Sequence, residues 1–108
     1  MSNKTMDLLK EMDSVNFAKE LDKLEGKYIT INVEGEISTL YSIESFNYSI
    51  LEGKVIVEDW LVIEDDNAPD EYILRICLET VAAYQKDLIS DALILVTDGG
   101  MVIQFQEC

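Results

Sequence analysis

Apolar residues near the start of the chain recur at the spacing of a helix. Within residues 5–25 they are separated by three or four positions, which would place them on one stripe of an α-helix. The stripe consists of Leu8, Met12, Val15, Ala18, Leu21 and Leu24. Gly26 stands at a helix C-cap position, and Asp13-Ser14 offers an N-cap that would start a second segment. The pattern predicts one helix, or two short helices, within residues 1–26.

From Lys27 onward apolar and polar positions alternate, which is typical of β-strands. The alternating runs occupy residues 29–33, 37–50 and 55–63, with turn candidates at Glu34-Gly35 and Glu52-Gly53. The second run changes parity, which predicts a bulge or a bend near Ser45. The third run is apolar on both faces, which favours a place at the centre of a sheet.

Residues 71–89 fit two structures. Helical spacing relates Ile73, Cys77, Val81 and Leu88, whereas strand spacing relates Tyr72, Leu74, Ile76 and Leu78. We favour a helix, because residues 79–87 show no two-residue alternation.

The end of the chain predicts a β-hairpin. Asp98-Gly99 lies between two alternating apolar runs, which is the strongest short-range signal for a hairpin. The predicted fold is therefore a single α+β domain, residues 1–108, with about five mainly antiparallel strands and helices covering one face of the sheet. It divides into a helical segment, 1–26, and a sheet with a second helix before the C-terminal hairpin, 27–108.

The charge of the chain is strongly asymmetric. The sequence has 22 acidic and 8 basic residues, a net charge of −14. Residues 31–108 contain three bases against sixteen carboxylates, and the stretch from Val55 to Leu74 has seven acids and no base. A small domain needs a net charge of only about 2–8 to stay dispersed. The excess indicates a surface adapted to a positively charged partner.

The same acidity excludes several kinds of ligand. Binding to nucleic acid or to an anionic membrane surface requires clusters of Lys and Arg, which eight bases among 22 acids do not supply. No apolar run reaches the roughly 20 residues of a membrane span. The N-terminus has no apolar run of signal-peptide length, so we expect a cytoplasmic protein.

Residues for catalysis or cofactor binding are sparse. The chain has no histidine, no CxxC pair and no glycine-rich phosphate loop. The acidic residues between Glu64 and Asp70 offer oxygen ligands, but the Ca²⁺-loop pattern fails at Pro69, Asp70 and Ile76. We therefore expect no enzymatic activity, no cofactor and no metal site.

The candidate partner-binding surface is the acidic segment around the single tryptophan. Trp is enriched at the centres of protein interfaces, and a rim of carboxylates would suit a basic partner. The predicted contact residues are Glu58, Asp59, Trp60, Glu64, Asp65, Asp66, Asp70 and Glu71.

These features favour a small acidic inhibitor that blocks the basic nucleic-acid-binding surface of a partner, such as a nuclease. In size and acidity the chain is similar to the class of phage anti-defence proteins, including DNA mimics, that act on restriction, repair and CRISPR nucleases. An immunity protein that neutralises a toxin nuclease fits the same physics. A third alternative is a non-catalytic structural or assembly protein that associates through its N-terminal helix. The sequence leaves the oligomeric state open.

Overall fold

The fold is mostly β-structure. A computed structural model describes residues 9–52, 59–67 and 72–107, which form nine strands and one α-helix. The strands are β1 (Leu9–Met12), β2 (Ile29–Glu34), β3 (Thr39–Ile43), β4 (Phe46–Glu52), β5 (Asp59–Asp65), β6 (Tyr72–Cys77), β7 (Val81–Asp87), β8 (Leu93–Thr97) and β9 (Val102–Glu107). The helix α1 spans Ser14–Asp22, and a 3-10 turn, Leu78–Thr80, joins β6 to β7. Within those ranges, no helix has the length and apolar character needed to cross a membrane.

The strands form two antiparallel sheets. The large sheet has the order β1-β7-β8-β9-β2-β3, and the small sheet has the order β4-β5-β6. Because successive residues of a strand point to opposite faces, each sheet can bury one apolar face. The buried faces contribute Ile31 and Phe105 from the large sheet and Phe46 and Ile63 from the small sheet to one shared core.

Aromatic side chains connect the two sheets and the helix within this core. The ring centre of Phe105 in β9 lies 6.3 Å from that of Phe46 in β4 and 6.1 Å from that of Phe17 in α1. Both pairs are edge-to-face, an arrangement that aromatic rings favour. Phe17 and Leu21 are the buried residues of α1, so the helix covers one side of the space between the sheets.

The predicted α+β architecture is therefore wrong. A second β-sheet, rather than a layer of helices, covers the inner face of the large sheet. In the segment predicted to be helical, 1–26, strand β1 precedes α1, and in the segment 27–108 residues 72–87 contain two strands in place of a second helix.

The N-terminal helix is shorter than predicted. Residues 9–12 form strand β1, which pairs with β7 in a register that places Met12 opposite Tyr84. Asp13 is the N-cap of α1, and its Oδ1 accepts a hydrogen bond from the backbone N–H of Asn16 at 2.8 Å. The interruption that we considered at Asp13-Ser14 thus begins the helix. Residues 1–8 lie outside the described residues.

The helix predicted over residues 71–89 is replaced by β6, the 3-10 turn and β7. The register of β7 against β8 shifts between Val81 and Ala83. This bulge changes the parity of the strand, so its apolar residues do not alternate along the sequence. The 3-10 turn and the inward-facing Lys86, which pairs with Glu20, remove the remaining alternation from residues 79–87.

Other predictions from the alternating patterns are confirmed. The C-terminal hairpin is formed by β8 and β9, with Gly100 in the left-handed region at φ +86°. β5 occupies the centre of the small sheet. The bend near Ser45 is the point at which the chain leaves β3 of the large sheet for β4 of the small sheet.

Tyr48 of β4 forms hydrogen bonds that link the small sheet to the helix. Its hydroxyl lies within hydrogen-bond distance of the Asp22 carboxylate and 3.2 Å from the carbonyl oxygen of Ala18. Burial, assisted by the neighbouring carboxylate of Asp22, raises the pKa of Tyr48 to about 12.

Replacement of Tyr48 by phenylalanine is expected to lower the free energy of unfolding by about 1–2 kcal/mol, because the hydrogen bonds to α1 are lost. The pKa of Tyr48 is raised in the folded state, so its contribution is complete below the unfolded pKa of about 10 and decreases as the pH rises toward 12. Urea unfolding at neutral pH and at alkaline pH measures both effects. The control is Tyr84→Phe, in which the removed hydroxyl has no hydrogen-bond partner among the described residues. Tyr48→Phe should therefore lose more free energy of unfolding than Tyr84→Phe. Equal losses would show that the hydrogen bonds of Tyr48 to α1 do not stabilise the fold.

Candidate functional site

The predicted contact residues that the structure describes do not form one continuous surface. Glu58, Asp70 and Glu71 lie outside the described residues. Asp59 and Asp65 stand at opposite ends of β5, a strand of seven residues. At about 3.3 Å per residue, these ends are separated by about 20 Å. Each end is therefore a different environment.

Asp59 lies at the helix side of the small sheet. It is half-buried and lines an open groove of about 420 Å³ between α1 and β5. Ile50 of β4 and Val15 of α1 line the same groove and are 46% and 63% exposed. The surroundings of Asp59 are thus largely apolar.

Trp60 lies on the outer face of the small sheet, with Val62 and Glu64 at the alternate positions of β5. The guanidinium carbon of Arg75 in β6 lies 4.4 Å from the centre of the Trp60 ring, a cation–π contact. Val62, the cross-strand neighbour of Arg75, is only 6% exposed although it points outward. One face of the indole is therefore already in contact with a cation of the same chain, and the role of Trp60 as an interface anchor stays a prediction.

The opposite end of β5 brings carboxylates from two parts of the chain together. We call Glu44, Glu64 and Asp66 the acidic corner. Glu44 lies between β3 and β4, and the other two residues end β5 and begin the following turn. The pairing of Phe46 with Asp65 in the register of β4 against β5 places these segments side by side.

Hydrogen bonds hold two of the three carboxylates of the acidic corner, those of Glu44 and Asp66, in place. The side-chain amide of Asn67 donates to Glu44 at 2.8 Å, and that of Asn47 donates to Asp66 at 3.2 Å. The hydroxyl of Ser45 also donates to Asp66, at 3.4 Å. Glu44 and Asp66 are exposed, so their charges face solvent.

Asp65 is a buried carboxylate next to the acidic corner. It accepts hydrogen bonds from the backbone N–H groups of Asn67 at 3.0 Å, Glu44 at 3.0 Å and Ser45 at 3.2 Å. The hydrogen bond from Asn67, together with those from Glu44 and Ser45, holds the pKa of Asp65 below its usual value despite desolvation. Asp65 is 9% exposed, so it positions the acidic corner rather than contributing to its contact surface.

Most of the described basic residues lie beside the helix. Five of the six bases within the described ranges line two clefts beside α1: Lys10, Lys19, Lys23, Lys27 and Lys86. The Nζ atoms of Lys86 and Lys23 lie 2.9 and 2.8 Å from carboxylate oxygens of Glu20. Hydrogen bonds from Lys23 and Lys86 lower the pKa of Glu20, and the bond to Glu20 raises that of Lys86.

Few carboxylates of the described residues form an ion pair with another described residue. Such pairs involve the carboxylates of Glu20, Asp91 and Glu107. No group of three or more cysteine, aspartate or glutamate side chains in the described part of the chain is placed to hold a metal ion.

Sequence reasoning missed Glu44. The change of parity near Ser45 indicated a bend next to Glu44. The contact of Glu44 with Asn67, however, depends on the pairing of β4 with β5, which the local pattern does not show.

Comparison of the chain with protein-family models, with curated proteins and with solved structures found no match in any of the three.

Proposed function

We propose that this protein is a non-catalytic inhibitor that occupies the basic, nucleic-acid-binding surface of another protein. The observation that carries the proposal is the acidic corner, in which Glu44 and Asp66 are exposed and held by hydrogen bonds from Asn67, Asn47 and Ser45. Carboxylates fixed before binding lose less conformational freedom when they meet Lys or Arg. A preorganised negative surface can therefore replace the phosphates that the partner normally binds.

The net charge of the chain supports the same mode of binding. With a net charge of −14 and five of the six described bases beside α1, the long-range field attracts basic proteins and repels nucleic acid. Electrostatic complementarity of this kind accelerates association and sets orientation. The rate of association should therefore fall steeply as salt screens the charges.

The partner in this proposal is a basic cytoplasmic protein, such as a nuclease or another nucleic-acid-binding protein. An anti-defence inhibitor, including a DNA mimic directed at restriction or CRISPR nucleases, and an immunity protein directed at a toxin nuclease would use the same surface. The identity of the captured partner distinguishes these two roles. An assembly role would instead be expected to survive high salt.

Charge reversal at the acidic corner is the test. In Glu44→Lys/Asp66→Lys, the favourable contacts with a basic partner become repulsive, so we expect partner binding to weaken by about a hundredfold or more. Asp65 is left unchanged, because its three backbone hydrogen bonds support the fold. Tagged protein is used to capture partners from the source cell at low salt, and the affinity of each purified partner is then measured by titration.

A matched control separates location from total charge. Glu34→Lys/Glu36→Lys changes the net charge by the same amount at the turn between β2 and β3, the end of that hairpin opposite Glu44. We expect the control variant to retain most of its affinity for the partner. We also expect the captured partner to lose nucleic-acid binding when the wild-type protein is added. Equal weakening by the two variants, or a partner that binds nucleic acid undiminished, would refute it.

A further inference from the structure

The outer face of the large sheet lacks charge across most of its area. Its outward positions follow from the register, since they alternate with buried residues such as Leu95 and Phe105. We call the uncharged outward residues of β2, β3, β7, β8 and β9 the neutral face: Thr30, Asn32, Leu40, Ser42, Ala83, Gln85, Ile94, Val96, Val102, Gln104 and Gln106. Charged outward residues occur only at its margins, Glu11 in β1, Glu34 at the end of β2 and Asp87 at the end of β7.

This composition is unusual for the outer face of a sheet in such a chain. Exposure varies across the face, since Leu40 is 66% exposed, Ile94 is 9% exposed and most of the other side chains are half-buried. Charged residues make up 28% of the sequence, and a solvated protein surface normally carries about 25–35% of them. The centre of the face, Gln104, has Asn32 and Ile94 as its cross-strand neighbours. Depletion of charged residues is one feature of the buried centre of a protein interface.

We propose that the neutral face is the interface of a homodimer. A basic partner would find no carboxylate there to pair with, and nucleic acid is repelled by the net charge of −14. A second copy presents the same uncharged surface. Amide side chains both donate and accept hydrogen bonds, so a face rich in Asn and Gln is complementary to itself in a two-fold arrangement.

The size of the face is sufficient for a weak dimer. Five strands, each about 4.8 Å wide and with about five or six residues rising about 3.3 Å, span about 24 Å by about 18 Å. The two copies together would therefore bury about 900 Å², which is the size of a weak or transient interface. The neutral face is also separate from the acidic corner, since one lies on the large sheet and the other at the end of β5.

Salt dependence distinguishes this contact from the proposed inhibitor complex. Two chains that each carry a net charge of −14 repel each other through the rest of their surfaces. Raising the ionic strength shortens the Debye length from about 10 Å at 0.1 M to about 3 Å at 1 M and weakens this repulsion. Dimerisation should strengthen with salt, whereas binding to a basic partner should weaken.

Sedimentation equilibrium of the full chain, at low and at high salt across the micromolar range, tests the proposal. The wild type should be largely monomeric at low salt and shift toward dimer at high salt. Gln104→Lys places an ammonium group at the centre of the face and should raise the dimer dissociation constant about tenfold or more. The added positive charge lowers the net negative charge, so any loss of dimer is not due to greater repulsion.

A second pair of variants distinguishes weaker dimerisation from a folding defect. Leu40→Lys lies on the neutral face in edge strand β3, where Leu40 is 66% exposed, and should also weaken the dimer. Leu51→Lys makes the same change on edge strand β4 of the small sheet, where Leu51 is 54% exposed, and should dimerise as the wild type does. A wild type that is monomeric at every salt concentration, or Leu40→Lys and Leu51→Lys variants with equal dissociation constants, would overturn the proposal. Neither result would affect the proposed inhibitor surface, which the acidic-corner variants test separately.

Discussion

Replacement of Phe105 by alanine should lower the free energy of unfolding by about 3–5 kcal/mol. Phe105 is 1% exposed and its ring contacts Phe17 of α1 and Phe46 of the small sheet. Removal of this ring opens a cavity at the point where the helix and both sheets meet. The cost is the sum of the hydrophobic transfer free energy of the ring and the packing contacts that its neighbours lose. Urea unfolding, followed by circular dichroism and by fluorescence of Trp60, measures the change.

The control for this prediction is Leu40→Ala. Leu40 is also on the large sheet but is 66% exposed, so its truncation should change stability by less than about 0.5 kcal/mol. Phe105→Leu keeps much of the buried volume and should give an intermediate loss. If Phe105→Ala were no more destabilising than Leu40→Ala, the shared core between the two sheets would be wrong.

The second large effect is expected at Asp65. Replacement of Asp65 by alanine removes the acceptor of three backbone N–H groups at the crossing between the two sheets. We expect the free energy of unfolding at neutral pH to fall by about 2–3 kcal/mol, because these donors lose their partner in a site with little access to water. Chemical unfolding of the wild type and the variant gives the difference.

This effect should depend on pH in a defined direction. The pKa of Asp65 is lower in the folded protein than its usual value, so the ionised carboxylate stabilises the fold. The contribution is complete above the unfolded pKa of about 3.9 and is lost as the pH falls through the folded pKa. The difference between wild type and Asp65→Ala should therefore shrink as the pH is lowered below about 4.

Asp66→Ala is the matched control at the adjacent position. Asp66 is exposed, and its carboxylate accepts hydrogen bonds from the side chains of Ser45 and Asn47. Its removal should cost less than about 0.5 kcal/mol. A loss at Asp65 no larger than the loss at Asp66 would show that the backbone hydrogen bonds at the crossing do not support the fold.

Local patterns predicted several elements correctly because their signals are short. Asp98-Gly99 between alternating runs identified the hairpin of β8 and β9, and the doubly apolar pattern identified β5 as a central strand. The parity change located the bend near Ser45. Each of these signals depends on residues that are close together in the sequence, so no knowledge of distant partners was needed.

The helix predictions failed where pairing with a distant strand decided the structure. Residues 9–12 carry apolar spacing compatible with a helix, yet they pair with β7 as an edge strand. In β7, the bulge between Val81 and Ala83 removed the alternation that identifies a strand. Isolated helices and edge strands of this length have little stability of their own, so tertiary contacts determine which one forms.

The sequence by itself determined the local turns, most of the strands, the excess of negative charge and the absence of histidine chemistry. The tertiary structure decided that the core lies between two sheets, that Asp65 supports the fold, and that Glu44 joins Glu64 and Asp66 at one corner. It also decided that the uncharged residues of five strands share one face. Turn and strand preferences act over a few residues, whereas strand order and register depend on contacts between residues far apart in the chain, which a single sequence does not encode in any local pattern.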